Sequence, residues 1–496
     1  MATVLVNMQQ IVATFFSRAT ARIILSKEVL LSRRVAWNEA FRYLHTVYFG
    51  EFMWTMQTLA SFFGAAEMAN QPISSFRIDS RNIAPGDVFF ALEGLRTDGH
   101  CHLRQVKERG GIAAIVSTQY AGDDFGLILL RTNDVRESLH KMAALTIETR
   151  RPAIAAITGS VGKTTTKEFL ATLLSARFCV GKTENNFNSQ LTMPLSVLNM
   201  RGDEEVLVLE MGMSEPGEIA KLVAIAPPDV AILTKVGLAH VGSFADGIEG
   251  IAREKGQLFC HPKTKWAVFD QAFIRFPQQL ARIDTKRVSF SLENKEADYA
   301  LTVPEGFVDE RGVRAHRFDL PFFETHLLHD FLAAIAAARC FGITWEEIER
   351  QVPKLKVPKM RFESFENNGV LYINDAYNAN PDSMKAALRA FSAPKESGKR
   401  IGVLGSMIGL GSFSHTSHEE IGKFAQSFVD YLLVYGEEAK ALHNAFCEAK
   451  KPSEYFVDKQ ALAKRLKELA CPGDAVLIKA SRAMEMEQIF DYLEQS

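Results

Sequence analysis

The sequence predicts an α/β protein of three domains: a small α/β N-terminal domain, a central phosphate-loop domain on a parallel sheet, and a Rossmann-like C-terminal domain. Three observations lead there. The chain has 496 residues, room for roughly three domains at about 100–200 residues each. Short apolar runs alternate with amphipathic stretches through most of it, the pattern of strands joined by crossover helices. Finally, one strand–loop–helix pattern carries a glycine-rich loop of the kind that cradles phosphate. Hydrophobic residues make up 47% and charged residues 23%, a balance that sustains several buried cores. Lys plus Arg (57) nearly cancels Asp plus Glu (59), for a net charge of -2, so the basic excess of a nucleic-acid binder is missing. No stretch approaches the ~20 apolar residues of a membrane span. Cys101, Cys179, Cys260, Cys340, Cys447 and Cys471 are scattered without a C-x-x-C pair. That argues against a disulfide scaffold or a cysteine zinc site and for a reducing cytoplasm.

Residues 1–56 stand apart as a basic N-terminal extension. The first 50 residues hold six basic side chains (Arg18, Arg22, Lys27, Arg33, Arg34, Arg42) against two acidic ones (Glu28, Glu39). Such a leader is a targeting segment, a basic helix on a membrane surface, or an upstream extension before a protein that starts near Met53 or Met56. Residues 57–151 form the small domain, with strands expected at 88–92, 112–116 and 127–130. Residues 152–358 form the central domain. Its strands are expected at 153–157, 206–209 and 230–233, and a helix at 163–178. Pro353 and Pro358 bracket the linker. Residues 359–496 restart the rhythm, with strands at 370–373, 401–404, 431–434 and 475–478 and amphipathic helices at 383–391 and 461–469.

The strongest local signal is Thr158-Gly159-Ser160-Val161-Gly162-Lys163-Thr164-Thr165. It follows a buried strand and opens a helix, where free backbone N–H groups and the positive helix end attract phosphate oxygens. Lys163 supplies a point charge for the outer phosphates, and Thr164 a hydroxyl for Mg²⁺. Ile157 occupies the first glycine position of the longer G-x-x-x-x-G-K-[ST] motif, so the loop is a shortened one. Glu210 ends the strand Val206-Leu207-Val208-Leu209, at the carboxyl edge where α/β sheets bind ligands. His240 lies in a loop between Gly237 and Gly242. Both suit a divalent ion bridging phosphates, although Glu210 as a helix-cap partner and His240 as a plain loop histidine fit the spacing too. Lys255 sits in the helical stretch 247–259 beside Glu254, where spacing alone reads it as a solvated helix lysine.

These segments together resemble the Mur ligases, ATP-dependent amide-bond-forming enzymes of peptidoglycan precursor synthesis. The loop is followed in order by Asn186-Phe187-Asn188, Glu210-Met211-Gly212, Ala239-His240 and Glu254-Lys255-Gly256. Asp375-Ala376-Tyr377-Asn378-Ala379-Asn380-Pro381-Asp382-Ser383-Met384 resembles the signature of the branch that adds D-alanyl-D-alanine to UDP-N-acetylmuramoyl-tripeptide. Lys479-Ala480-Ser481-Arg482 is similar to that branch's late K-G-S-R motif. Asp79-Ser80-Arg81 and Asp98-Gly99-His100 are similar to motifs of its UDP-sugar domain. The likeness covers roughly residues 57 to 496, all but the leader.

The resemblance implies roles as well as a fold. It makes Lys163, Glu210, His240 and Lys255 the catalytic set, with Thr164, Glu210, His240 and a carbamylated Lys255 holding Mg²⁺. The phosphate loop, Arg361, Asp375 and Asn378 would bind ATP. Ser80, Arg81, Asn186, Asn188, Tyr377, Asn380, Lys479 and Arg482 would contact the substrates, UDP-N-acetylmuramoyl-tripeptide and D-alanyl-D-alanine. The expected enzyme is a cytoplasmic monomer with no nucleic-acid partner. Three segments depart from the family. Gly405-Ser406-Met407-Ile408-Gly409-Leu410-Gly411 replaces G-D-M-x-E-L-G and loses two carboxylates. His326-Leu327-Leu328-His329-Asp330 replaces H-N-x-x-N, and Ser189 and Thr192 replace the usual Asn and Gly. Two alternatives stand beside this expectation. One is a folate-polyglutamylating ligase of the same architecture, which the Tyr377-Asn378-Ala379-Asn380 signature argues against; the other is a nucleotide-gated scaffold without ligase activity.

Overall fold

The computed structural model describes residues 54–94, 97–302, 306–391 and 398–495, all within the compact unit Met53–Ser496. Apart from residues 54–56, the expected basic extension lies outside the described residues. Those three belong to packed structure. Trp54 is 4% exposed, stacks edge-on against Phe62 and Phe76, and donates its indole N–H to Thr146 Oγ1 at 3.1 Å.

The N-terminal part begins with α1 (Met56–Phe62), started by a capping box in which Thr55 and Thr58 satisfy each other's backbone N–H. A four-stranded parallel sheet follows: β1 (Phe76–Arg77), β2 (Val88–Phe90), β3 (Ala113–Ser117) and β4 (Ile128–Thr132), in that spatial order. α2 (Leu103–Glu108) and α3 (Val135–Arg150) connect and flank it. Buried Phe89, Ala114 and Val116 pack under Leu103 and Val106 of α2.

The central sheet has nine strands. In chain order the elements are β5 (Ala153–Thr158), α4 (Lys163–Leu174), β6 (Val180–Lys182), α5 (Thr192–Leu198), β7 (Val206–Glu210), α6 (Glu218–Ile225), β8 (Val230–Leu233), α7 (Ile248–Gly256), β9 (Trp266–Asp270), α8 (Pro277–Leu280), β10 (Lys286–Ser291), β11 (Tyr299–Thr302), β12 (Phe307–Glu310), β13 (Val313–Arg317), α9 (Thr325–Cys340) and α10 (Trp345–Gln351). Their spatial order is β13-β12-β11-β10-β9-β8-β5-β7-β6. From β6 to β11 every pairing is parallel. The all-parallel expectation fails at one edge, where β11, β12 and β13 pair antiparallel. Arg311 (φ 50) and Gly312 (φ 76) make a two-residue turn of left-handed residues that folds β13 back on β12, and packing adds this hairpin to β11. Strands buried on both faces need no alternation, and β7 and β8 are buried at every position. α9 is apolar almost all round because it is sandwiched between the sheet and α4, with residues 331–338 wholly buried.

The C-terminal part holds β14 (Glu363–Asn367), β15 (Val370–Asn374), α11 (Pro381–Ala390), β16 (Arg400–Gly405), α12 (Ser414–Ala425), β17 (Tyr431–Tyr435), α13 (Lys440–Cys447), β18 (Ser453–Phe456), α14 (Lys459–Leu469), β19 (Ala475–Lys479) and α15 (Gln488–Gln495). The strand order is β14-β15-β19-β16-β17-β18. All pairings are parallel except the β14–β15 hairpin, which turns at Asn368 (φ 52) and Gly369 (φ 75). The chain runs outward from β15 through β16, β17 and β18, then reverses and inserts β19 between β15 and β16, a doubly wound arrangement in keeping with the Rossmann-like expectation.

Candidate active site

The site grows from the carboxyl end of β5. Glycine is obligatory twice in the phosphate loop. A Cβ on Gly159 would lie 1.9 Å from Thr234 Oγ1, and one on Gly162, at φ 83, would lie 2.1 Å from Asp330 Oδ1. Ser160 Oγ donates to Gly237 O and accepts from Gly237 N, both at 2.9 Å, which ties the loop to the strand end beyond β8. Val161 takes its place in the turn before α4, whose first residue is Lys163. The Lys163 Nζ folds back onto Gly159 O at 2.7 Å. Thr158 and Thr165 are buried on either side of the loop, and Thr158 Oγ1 has no protein partner.

One turn into the site, Thr164 Oγ1 donates to Glu210 Oε2 at 2.8 Å. Glu210 is 1% exposed. Its other oxygen accepts from Asn188 Nδ2 at 2.7 Å, and its backbone N–H donates to Thr183 Oγ1 at 3.1 Å. The carboxylate therefore joins the phosphate-loop helix to the 183–191 loop. Asn186, two residues from Asn188, is exposed on that loop.

His240 and Lys255 bring nitrogen to the same region. His240 stands in the left-handed conformation at φ 61, a conformation uncommon outside glycine that is held only when the surroundings fix it. Burial, with Lys163 and Lys255 nearby, pulls its imidazole down to about 4, so the ring is neutral and can offer a lone pair. Lys255 on α7 is 2% exposed, which rules out a solvated helix lysine. Burial, and then repulsion from Lys163, lowers its amine well below the usual lysine range. Its neighbour Glu254 faces elsewhere, accepting the Gly217 and Ile219 N–H groups at 2.9 and 2.8 Å. Burial likewise pulls Lys163 down, with Glu210 opposing.

The C-terminal part closes the site from above. Arg361 Nη2 donates to Thr164 Oγ1 at 3.3 Å, and its guanidinium lies 3.9 Å over the Tyr377 ring. Asn380 caps α11 through Ser383 N and donates Nδ2 to Ser160 O at 3.2 Å. Asp382 accepts the Leu238 N–H at 3.1 Å. Asp375 pairs with Lys479 Nζ at 2.7 Å, and the same ammonium donates to Asn378 O at 2.9 Å. Lys479 is thus wholly buried and bound by its own domain, and Arg482 pairs with Glu487 at the surface. Neither reaches the phosphate loop by a direct hydrogen bond. Ser80 and Arg81 lie in the N-terminal part. Ser80 is buried with its hydroxyl on Gln105 Oε1 at 2.7 Å; Arg81 is exposed and folded onto Asp79.

The departures acquire structural explanations. Ser406 is buried and its Oγ accepts the Ala439 N–H at 3.2 Å, so it serves its own sheet edge. Gly409 (φ 85) adopts a left-handed turn beside the His240 ring. Leu327 is a core residue. Ser189 and Thr192 bond each other and the intervening backbone, which starts α5. Asp330 sits against Gly162 and pairs with His329. The motifs assign no role to Lys167, Asp382 or His329. For Lys167 a signal was present, a lysine four residues after Lys163 on a helix otherwise buried along the same face.

Among the described residues no three His, Cys, Asp or Glu side chains cluster as ready-made metal ligands. The donors present are the Thr164 hydroxyl, a Glu210 oxygen and the neutral His240 ring. Such an incomplete set fits magnesium, which keeps several waters and takes phosphate oxygens instead of a full protein cage. Lys255 as an amine is a poor magnesium ligand; its carbamate would add carboxylate-like oxygens.

Known proteins share this architecture. Residues 157–338 match the Mur ligase middle domain, and residues 360–482 match the Mur ligase glutamate ligase domain. The UDP-N-acetylmuramoyl-tripeptide--D-alanyl-D-alanine ligase of Bacillus subtilis is 32% identical over 428 residues, covering 84% of this chain and 92% of that protein. MurF from Acinetobacter baumannii superposes with a TM-score of 0.77 at 27% identity, over 89% of this chain and 99% of that one. MurF ligase from Thermotoga maritima in complex with ADP gives a TM-score of 0.72 at 31% identity, over 85% and 97%. Two family models that together span most of residues 157–482, and a relative 32% identical over 84% of the chain, lead to one conclusion: this chain belongs to the Mur ligase family.

Proposed function

We infer that this chain joins D-alanyl-D-alanine to UDP-N-acetylmuramoyl-tripeptide at the expense of ATP, making the pentapeptide precursor of peptidoglycan. The observation that carries the reading is the 375–382 segment docked on the phosphate loop, with Asn380 on Ser160 O and Tyr377 beneath the Arg361 guanidinium that reaches Thr164. That segment holds the signature of the D-alanyl-D-alanine-adding branch, and it meets the nucleotide loop directly. Relatives that cover most of this chain carry that activity in their names.

The chemistry follows from what a carboxylate lacks. It is a poor electrophile, so the γ-phosphoryl group is first passed to it, giving an acyl phosphate and ADP. The dipeptide amine then attacks the acyl carbon, and the tetrahedral intermediate expels phosphate. Both steps gather negative charge on oxygen. Lys163 and the N–H groups at the start of α4 stabilise that charge without reorganising. Thr164, Glu210, His240 and the carbamate of Lys255 would hold magnesium, which supplies charge neutralisation at the phosphates when bound. The same burial that lowers the Lys255 amine favours its carbamylation, since only the free amine attacks carbon dioxide. Arg361, Asp375 and Asn378 line the nucleotide side of the seam. Asn186, Asn188, Tyr377, Asn380, Lys479 and Arg482 serve substrate placement, the last two by shaping the segments that carry it.

By this reading residues 57–151 hold the UDP-sugar through the Ser80–Arg81 and Asp98–His100 turns. Residues 152–358 bind ATP, and residues 359–496 bring the dipeptide. By the same reading the enzyme acts as a monomer in the cytoplasm, the second point in keeping with its six free cysteines. Phosphate release in the presence of UDP-N-acetylmuramoyl-tripeptide and ATP tests the assignment: it should rise when D-alanyl-D-alanine is added. No rise would refute it.

A further inference from the structure

Lys167 is a buried cation that none of the roles above uses. It lies on α4 one turn beyond Lys163 and is 0% exposed. A lysine in such a place must find partners for its hydrogens and compensation for its charge. Both are present. Its Nζ donates to Thr183 O at 2.7 Å and to Asn185 O at 2.5 Å, and it lies 3.3 Å from Glu168 Oε1 and 4.0 Å from Glu210 Oε2. The two carbonyls belong to the loop that runs from β6 to α5 and carries Asn186 and Asn188. That loop is also tied to the β7 edge by backbone bonds, Thr183 N–H to Val208 O at 3.2 Å and Gly212 N–H to Asn188 O at 2.8 Å, and by side chains of the same network. Thr183 receives the Glu210 N–H, and Asn188 donates to the Glu210 carboxylate. Asn185 is itself in the left-handed conformation at φ 44, which turns its carbonyl inward at the point where Lys167 takes it.

We propose that Lys167 is a positioning residue of the ligase, which grips the 183–188 loop onto the phosphate-loop helix and so sets where Asn186 and Asn188 meet the substrate and how much negative charge Glu210 presents. The inference rests on the ligase reading above. It makes Lys167 the mechanical link between nucleotide and acceptor. Two donors of one ammonium fix two successive bends of the acceptor loop, while the charge stands beside the carboxylate expected to hold the metal. A lysine that only filled the core would affect stability and would leave the balance between the two substrates alone.

The test is steady-state phosphate release by the full chain, comparing wild type with Lys167→Met, Lys167→Arg and Asn185→Gly. A wild type unresponsive to D-alanyl-D-alanine would remove the ligase reading and this inference with it. With an active wild type, Lys167→Met should raise KM for UDP-N-acetylmuramoyl-tripeptide about tenfold or more while KM for ATP stays within about threefold. Its magnesium requirement should fall, because a competing cation beside Glu210 is gone. Lys167→Arg, which keeps charge and donors, should return the ratio of the two KM values to near the wild-type level. Asn185→Gly suits the left-handed backbone and keeps the fold, yet slackens the gripped bend. It should shift the same ratio in the same direction, and it decides the matter if Lys167→Met does not fold. A ratio of KM values unchanged in the folded variants would overturn the proposal. So would a rise in both KM values together.

Discussion

At the scale of single residues, the site depends on charges whose environment differs from what their sequence positions suggest. Lys163 is held at Gly159 O, next to Thr164 at the start of α4, where the outer phosphates of a bound nucleotide would lie. Lys163→Ala should lower turnover on the order of 100-fold or more, the usual cost of a lost oxyanion contact, in the phosphate-release assay. Near-normal turnover would take Lys163 out of the mechanism. Lys255 makes a sharper prediction. Its buried, depressed amine suits a carbamate, so Lys255→Ala should lose most activity and regain part of it when short carboxylic acids are added. Full activity of that variant without any acid would return Lys255 to a structural role. Lys163 was legible in the sequence because a glycine-flanked lysine before Thr-Thr is a local pattern. Lys255 was legible only through the resemblance, since burial is set by what packs over α7 and not by its neighbours in the chain.

Elements meet at one further charged junction. His329 on α9 lies between Asp270 at the end of β9, 3.0 Å from Nε2, and Asp330, 3.7 Å from Nδ1. Burial opposes charge on that ring, but the two carboxylates prevail and hold it up to about 9. Burial pushes the Asp330 carboxyl up in turn, with His329 opposing. The imidazolium therefore ties α9 to the sheet beneath the phosphate loop. A histidine raised above its unfolded value near 6.5 stabilises the fold fully below about pH 6.5, and the contribution is lost as pH rises through about 9. Stability against thermal unfolding should accordingly fall between pH 6 and pH 9.5, by on the order of 3 kcal/mol for a shift of this size. His329→Gln should flatten that dependence; an unchanged slope in the variant would assign it to other groups. The sequence marked this place only by the unexpected Leu327 and Asp330, because the partner Asp270 is fifty-nine residues from His329. The same blindness explains the β11–β13 edge: the Arg311-Gly312 turn is local, but the choice to add its hairpin to the parallel sheet is a matter of packing.

Over the whole molecule, the C-terminal part meets the central one at a point, Gly242 against Gly411, where there is no room for a side chain. A Cβ on Gly242 would lie 2.7 Å from Gly411 N, and one on Gly411 would lie 2.8 Å from Gly242 Cα. Gly242→Ala should therefore hold the two parts apart, lowering turnover about tenfold or more if closure gates the chemistry. ADP binding measured by calorimetry should be little changed, and the radius of gyration from solution scattering should rise. Unaltered turnover would show that this contact is not needed for ligation. The sequence by itself determined the α/β class, the phosphate loop, the strands from β2 to β19 that are strongly apolar, and the signature at residues 375–384. Each is written in residues near one another, where periodicity and turn chemistry act. The tertiary structure alone decided that Glu210 bonds both Thr164 and Asn188, that Lys167 and Lys255 are buried, and that Asn380 and Arg361 reach across to the loop at Ser160 and Thr164. Those facts join residues up to 220 positions apart, and only the packing of helices on sheets fixes which distant side chains share one water-poor space.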